Sequence, residues 1–155
     1  MQTRVSAERI LDVPADVVYH LISDYSRHHR AAPEGFLPPA FTELVVEEAG
    51  VGAGTVIRFT SRLGGRPQTL TASISEPEPG HVLVETSPGL ETTFTVSPEG
   101  DGRSRVRFDT VMEMPGLMGL VTRLVAPGML RPIYADEMVR LEQHAKQHEP
   151  HAIAA

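Results

Sequence analysis

Across residues 41–113 apolar side chains recur at every second position, and clusters of glycine and proline interrupt the pattern before any stretch reaches helix length. A period of two marks strands whose two faces meet different surroundings. Thr55, Ile57, Phe59 and Ser61 share one face, against Val56, Arg58, Thr60 and Arg62 on the other. Leu70, Ala72 and Ile74 alternate with threonine and serine, and Val82, Val84 and Thr86 alternate with His81, Leu83 and Glu85. Leu90, Thr92, Phe94 and Val96 follow; Val106, Phe108, Thr110 and Met112 then oppose Arg105, Arg107, Asp109 and Glu113. Turn residues at 50–54, 64–65, 77–80, 88–89 and 99–102 separate these runs. The glycines of 50–54 lie between two strands, where a hairpin is expected, not a phosphate cradle at a helix start. Six strands in one block, without alternating helices, predict an antiparallel sheet with one wet side in an α+β fold.

The flanks have another period. Residues 3–11 read as a first strand. Asp12 is a plausible N-cap and Pro14 suits the first turn of a helix whose apolar face carries Val17, Val18, Leu21 and Ile22. A second short helix is expected over 24–30, stopped by Pro33. The C-terminal segment has helical spacing at Leu117, Leu120, Val121, Leu124 and Val125, then at Tyr134, Met138, Leu141 and Ala145. Pro127 and Pro132 predict a break between the two halves. At 155 residues the chain matches a single domain over 1–147, with 148–155 as a flexible tail.

Composition removes several functions. Without cysteine there is no disulfide framework, thiolate zinc site, iron–sulfur cluster or cysteine nucleophile. A net charge of −6 argues against nucleic acid as a partner. Thirteen arginines against the single Lys146 suggest a GC-rich, bacterial genome. No signal-like start and no uninterrupted apolar run of membrane length is present, Arg123 breaking the nearest approach at 115–130, so a cytoplasmic protein without a transmembrane segment is expected.

The order of one strand, two small helices, six strands and a long C-terminal helix resembles the START-like polyketide cyclase/dehydratase and lipid-transport superfamily (SRPBCC), the helix-grip fold. Local motifs agree. Residues 10–24 (ILDVPADVVYHLISD) are similar to the family's opening, a strand ending before Ala-Pro and a helix ending in Asp; 51–55 (VGAGT) resembles its glycine hairpin; 76–82 (EPEPGHV) and 103–106 (RSRV) sit where its later hairpins belong. The resemblance spans about 3–147. It departs at 27–33 (RHHRAAP), where the family often has aromatics, and at the two helix prolines. It implies a curved sheet of about seven strands wrapped around the long helix, with an apolar cavity between them.

Candidates for the cavity lining are Ile57, Phe59, Leu70, Phe94, Phe108, Met112, Leu120, Leu124 and Tyr134, which would equally serve to fill a solid core. His28, His29, Arg131 and Tyr134 are guesses for polar or catalytic groups near its mouth, with no serine elbow or triad spacing to compete. His144, His148 and His151 have zinc-compatible spacing, but no further ligand is placed beside them, so neither metal nor cofactor is expected. Glu47-Glu48 and Asp136-Glu137 read as solvated charge. Arg58 and Arg62 read as outward-facing, with a reversed register aiming them into the cavity. The leading expectation is binding of a small apolar or amphipathic molecule, lipid-like or polyketide-like. A polyketide cyclase/dehydratase enzyme is the alternative. A partner-binding or stress-response module docking through 116–130 is the third, and a homodimer is left open.

Overall fold

The computed structural model describes residues 1–62 and 66–154, with 149–154 as backbone alone. The elements run β1 (Gln2–Leu11), α1 (Ala15–Ser23), β2 (Phe41–Glu48), β3 (Val56–Ser61), β4 (Gln68–Glu78), β5 (Val82–Ser87), β6 (Leu90–Pro98), β7 (Ser104–Glu113) and α2 (Gly116–Ala154). All seven strands form one antiparallel sheet in the order β1-β7-β6-β5-β4-β3-β2. Strands β2 to β7 are successive neighbours, and β1 returns to pair with β7 along its whole length, from Gln2 opposite Glu113 to Leu11 opposite Ser104. The expected turn at Gly64-Gly65 lies outside the described residues.

The alternation seen in the sequence sets which face is inside. Ile57, Ala72, Ile74, Leu83, Phe94, Val96, Val106 and Phe108 are buried on the concave face, whereas Arg58 is half exposed and pairs with Glu47 at 3.5 Å. Arg62 is exposed too. The reversed register is thereby excluded, and both arginines point outward.

Two expectations about helices fail. No second helix forms over 24–30. The Asp24 carboxylate accepts the backbone N–H groups of Ser26 and Arg27, each at 3.0 Å, and its carbonyl accepts those of His28 and His29. This local capture of donors favours tight turns over helix. Nor does Asp12 cap α1: Pro14 holds the N-cap position without a side-chain bond, and the Asp12 N–H donates to Glu142 at 2.7 Å.

The second failure is at the prolines. α2 runs unbroken through Pro127 and Pro132. Each proline forfeits one i→i−4 hydrogen bond, but the stripe Leu130, Tyr134, Met138, Leu141 and Ala145 is buried and anchors the helix downstream. The same helix extends beyond residue 147, where a tail is expected from the sequence. Upstream, Leu117, Met118, Leu120 and Leu124 are exposed. So the C-terminal half is docked on the protein, while the N-terminal half spans open space.

The glycine hairpin at 50–54 also braces the turns after α1. Gly50 C=O accepts the N–H groups of Tyr25 and Ser26, and the Gly52 N–H donates to Ser23 C=O at 2.9 Å. Gly50 has φ +145, and a Cβ there would collide with the Ser26 hydroxyl, so the close approach requires glycine. This contact holds the segment carrying Tyr25, His28 and His29.

Candidate functional site

A cavity of about 680 Å³ lies between the concave sheet face and the undocked part of α2. Its wall is apolar: Ile57 and Phe59 from β3, Leu70 and Ala72 from β4, Phe94 from β6, Met112 from β7. Val121, Val125, Met129 and Leu130 close it from the helix. Of the residues expected on the lining, Ile57, Phe59, Leu70, Phe94, Met112 and Tyr134 are there. Phe108 lies behind the wall, fully buried, with its ring edge-on to Phe94 and Tyr134. Leu120 and Leu124 face away from the cavity, 44% and 75% exposed, because Val121 and Val125 occupy the inward side of that turn.

One end of this apolar space is polar and buried. Glu85 on β5, Glu137 on α2, His29, Tyr134, Thr92 and Thr110 all reach the cavity surface there. Tyr25 OH donates to Glu85 Oε1 at 2.6 Å, and its ring stacks on His29 with centroids 4.3 Å apart. His29 Nδ1 donates to the Ile22 carbonyl at 2.8 Å, which fixes the tautomer and leaves Nε2 as a bare acceptor. That Nε2 sits 3.5 Å from Glu85 Oε1. Burial pushes His29 down to about 4, and burial, opposed by the Tyr25 hydrogen bond, pushes Glu85 up to about 7. The contact therefore joins a neutral imidazole to a carboxyl that titrates near neutrality, not two opposite charges.

Glu137 is only 3% exposed. Burial first, then the nearby Glu85 and Asp136 carboxyls, hold it well above the carboxylate range. Opposite it, Thr92 and Thr110 hydroxyls bond each other at 2.9 Å, and Thr110 bonds the Tyr134 hydroxyl. Burial raises Tyr134 to about 12, so it stays a neutral donor. The polar end thus presents two acid groups favouring their protonated forms, a phenol, two hydroxyls and one imidazole acceptor.

Glu137 was expected in solvent beside Asp136, and Glu85 was not singled out. Both had a signal. Glu137 is three residues after Tyr134 and one before Met138, on the apolar stripe of α2; Glu85 shares the inward parity of Leu83.

The other residues singled out separate. Arg131 is exposed and off the cavity. His28, adjacent to His29, turns away from the cavity toward the C-terminal part of α2. There its Nδ1 lies 2.9 Å from His144 Nε2, and its ring is 5.1 Å from that of His148. Burial, helped by His148 and His28, depresses His144 to about 4. Burial likewise lowers His28. The side chain of His151 lies outside the described residues. No helix among the described residues is long and apolar enough to cross a membrane.

Comparison with known proteins agrees with this architecture. A family model described as polyketide cyclase / dehydrase and lipid transport matches residues 2–146. The solution structure of KanY superposes with a TM-score of 0.77 at 24% identity, covering 94% of this chain and 99% of that one. The aromatase/cyclase ZhuI from Streptomyces gives 0.70 at 14% identity, covering 96% of both chains. A norcoclaurine synthase point mutant from Thalictrum gives 0.71 at 19%, with 96% and 97% covered. At these identities the likeness is one of fold. None of the curated proteins matches the sequence.

Proposed function

Because this chain belongs to the polyketide cyclase/dehydrase and lipid-transport family, we propose that it binds a small amphipathic molecule in the cavity, apolar body against the wall and polar end against Glu85, Glu137 and Tyr134. The observation that carries this reading is an apolar-walled space of about 680 Å³ ending in two buried carboxyls. Burying ~300 Å² of apolar ligand surface would contribute ~7 kcal/mol before association costs. The polar end selects further. A protonated Glu137 and the Tyr134 hydroxyl donate to a carbonyl or hydroxyl oxygen, whereas a carboxylate would meet Glu85 as a second anion. The favoured ligand is therefore neutral at its polar end. Displacement of a bound fluorescent apolar probe tests this at pH 8. Dodecanol should displace it at lower concentration than dodecanoate; preference for dodecanoate, or displacement by neither, overturns the reading.

A second reading, a cyclase or dehydratase, is favoured by one feature: Glu85 titrates near neutrality between a tautomer-fixed imidazole and a phenol. Such a carboxyl suits general acid–base work on a carbonyl or hydroxyl held at the same end of the cavity. Glu85→Gln separates the readings, since it preserves shape and the bond from Tyr25. Retained dodecanol binding with loss of turnover of a polyketide substrate supports catalysis; unchanged turnover excludes Glu85 from it.

A further inference from the structure

A separate cluster lies outside the cavity, where the turns after α1 meet the last described turns of α2. We propose that His28, His144 and His148 form a binding site for a divalent transition-metal ion of the zinc class, which staples the segment after α1 to the end of α2.

Three ring nitrogens converge there, all within 4.8 Å of one another. His28 Nδ1 and His144 Nε2 are 2.9 Å apart. Two nitrogens on one tetrahedral zinc ion, each at about 2.0–2.1 Å, stand about 3.3 Å apart, so modest side-chain rotation brings the three to that spacing. The tautomers suit the task. His148 Nδ1 donates to the His144 carbonyl at 2.8 Å, one turn back on α2. That bond turns the lone pair of His148 Nε2 toward the cluster, and backbone carbonyls commonly orient metal-ligating imidazoles this way. Between His28 and His144 the shared hydrogen bond needs one proton, which binding of the ion displaces to the other nitrogen of the same ring or to solvent.

The ligand set also joins two parts of the chain. His144 and His148 are i, i+4 on one helix, while His28 reaches them across 116 residues of sequence from the turns held by Gly50. His144 is 8% exposed, so this is a half-buried pocket of imidazoles and not a row on an open helix face. Imidazole nitrogens suit zinc, nickel and copper over magnesium or calcium, and three protein ligands leave a fourth position for water.

The test uses the full chain without an affinity tag, stripped of metal, titrated with Zn²⁺ in competition with a chromophoric chelator. Melting with and without Zn²⁺ gives a second readout. One ion per chain is expected, with a raised Tm. His28→Ala is the deciding variant, because His144 and His148 alone form a two-ligand helix site. It should weaken affinity ~tenfold or more and abolish the zinc-dependent rise in Tm. His148→Ala should do the same, and His151→Ala should change neither. Co²⁺ substitution should give the intense visible bands of a four-coordinate ion in the parent chain and not in His28→Ala. Absence of stoichiometric binding, unchanged affinity in His28→Ala, or a tenfold loss in His151→Ala overturns the proposal.

Discussion

Replacing Glu85 by glutamine should make the protein more stable at pH 8 and leave it little changed at pH 4. In the folded chain burial raises the Glu85 carboxyl from 4.5 to about 7. The native state therefore holds a proton that the unfolded chain has released throughout that window. For a group raised on folding, stability is fully present below the unfolded value and lost as pH rises through the folded one. Each tenfold step in proton affinity is worth about 1.4 kcal/mol, so the span from 4.5 to about 7 costs the wild type about 3 kcal/mol by pH 8. Its carboxyl is 16% exposed, which keeps solvent screening small. Glutamine retains an oxygen for Tyr25 and never ionises. His29 titrates in the opposite sense, but burial and the Ile22 carbonyl set its value, so it contributes equally to both proteins and cancels in the difference. Glu137, Tyr25 and Tyr134 all feel the Glu85 charge and are raised by it, so its removal relieves them in the same direction. Urea unfolding of both proteins from pH 4 to 8 gives the difference directly. A constant offset reflects altered packing; a difference that grows by about 3 kcal/mol with pH is expected. If it stays flat within about 0.5 kcal/mol, Glu85 titrates as an ordinary carboxylate and the site is wetter than described.

Phe108→Ala should cost about 3–5 kcal/mol by the same assay, because the ring is fully buried against Phe94 and Tyr134 and its removal leaves a void behind the cavity wall. A loss under about 1 kcal/mol would mean the surroundings collapse into the space. Pro127→Ala should stabilise the protein by up to ~3 kcal/mol, seen as a higher Tm, by restoring an N–H donor to the Arg123 carbonyl inside α2. An unchanged or lower Tm would show that the helix is not continuous there in solution.

Strand faces were legible wherever charge stood opposite bulk. Arg105, Arg107 and Asp109 against Val106, Phe108 and Thr110 left one choice of inside, and the structure keeps it. Helix punctuation was less legible. Asp24 and the two helix prolines are local signals, and their outcome depends on distant packing: Gly50 receives the turns after Asp24, and the stripe from Leu130 to Ala145 holds α2 beyond its prolines. At the site, the apolar wall followed from strand parity, but on α2 Leu120 and Leu124 share helical spacing with Val121 and Val125, and only the helix's rotation decides which pair faces in. The carboxyls were missed for another reason. Acidic residues are seldom buried, and that prior outweighed the positional evidence that Glu137 lies on the apolar stripe. The approach of His28 to His144 depends on tertiary closure and has no local trace.

The pairing of β1 with β7 has a consequence in time. Residues 2–11 leave the ribosome first, yet their sole strand partner is residues 104–113, paired at a separation of 103 between Ser6 and Asp109. At ~5–20 residues per second, β1 waits ~5–20 s for that partner to be made. Throughout that interval it is an unpaired strand carrying Val5 and Leu11, the kind of edge that recruits other chains. Arg4, Glu8 and Arg9 alternate along its outer face, and such charges oppose edge-to-edge association. The nascent chain is thus protected by the same residues that later form the wet side of the sheet, and its sheet closes only when synthesis is nearly finished.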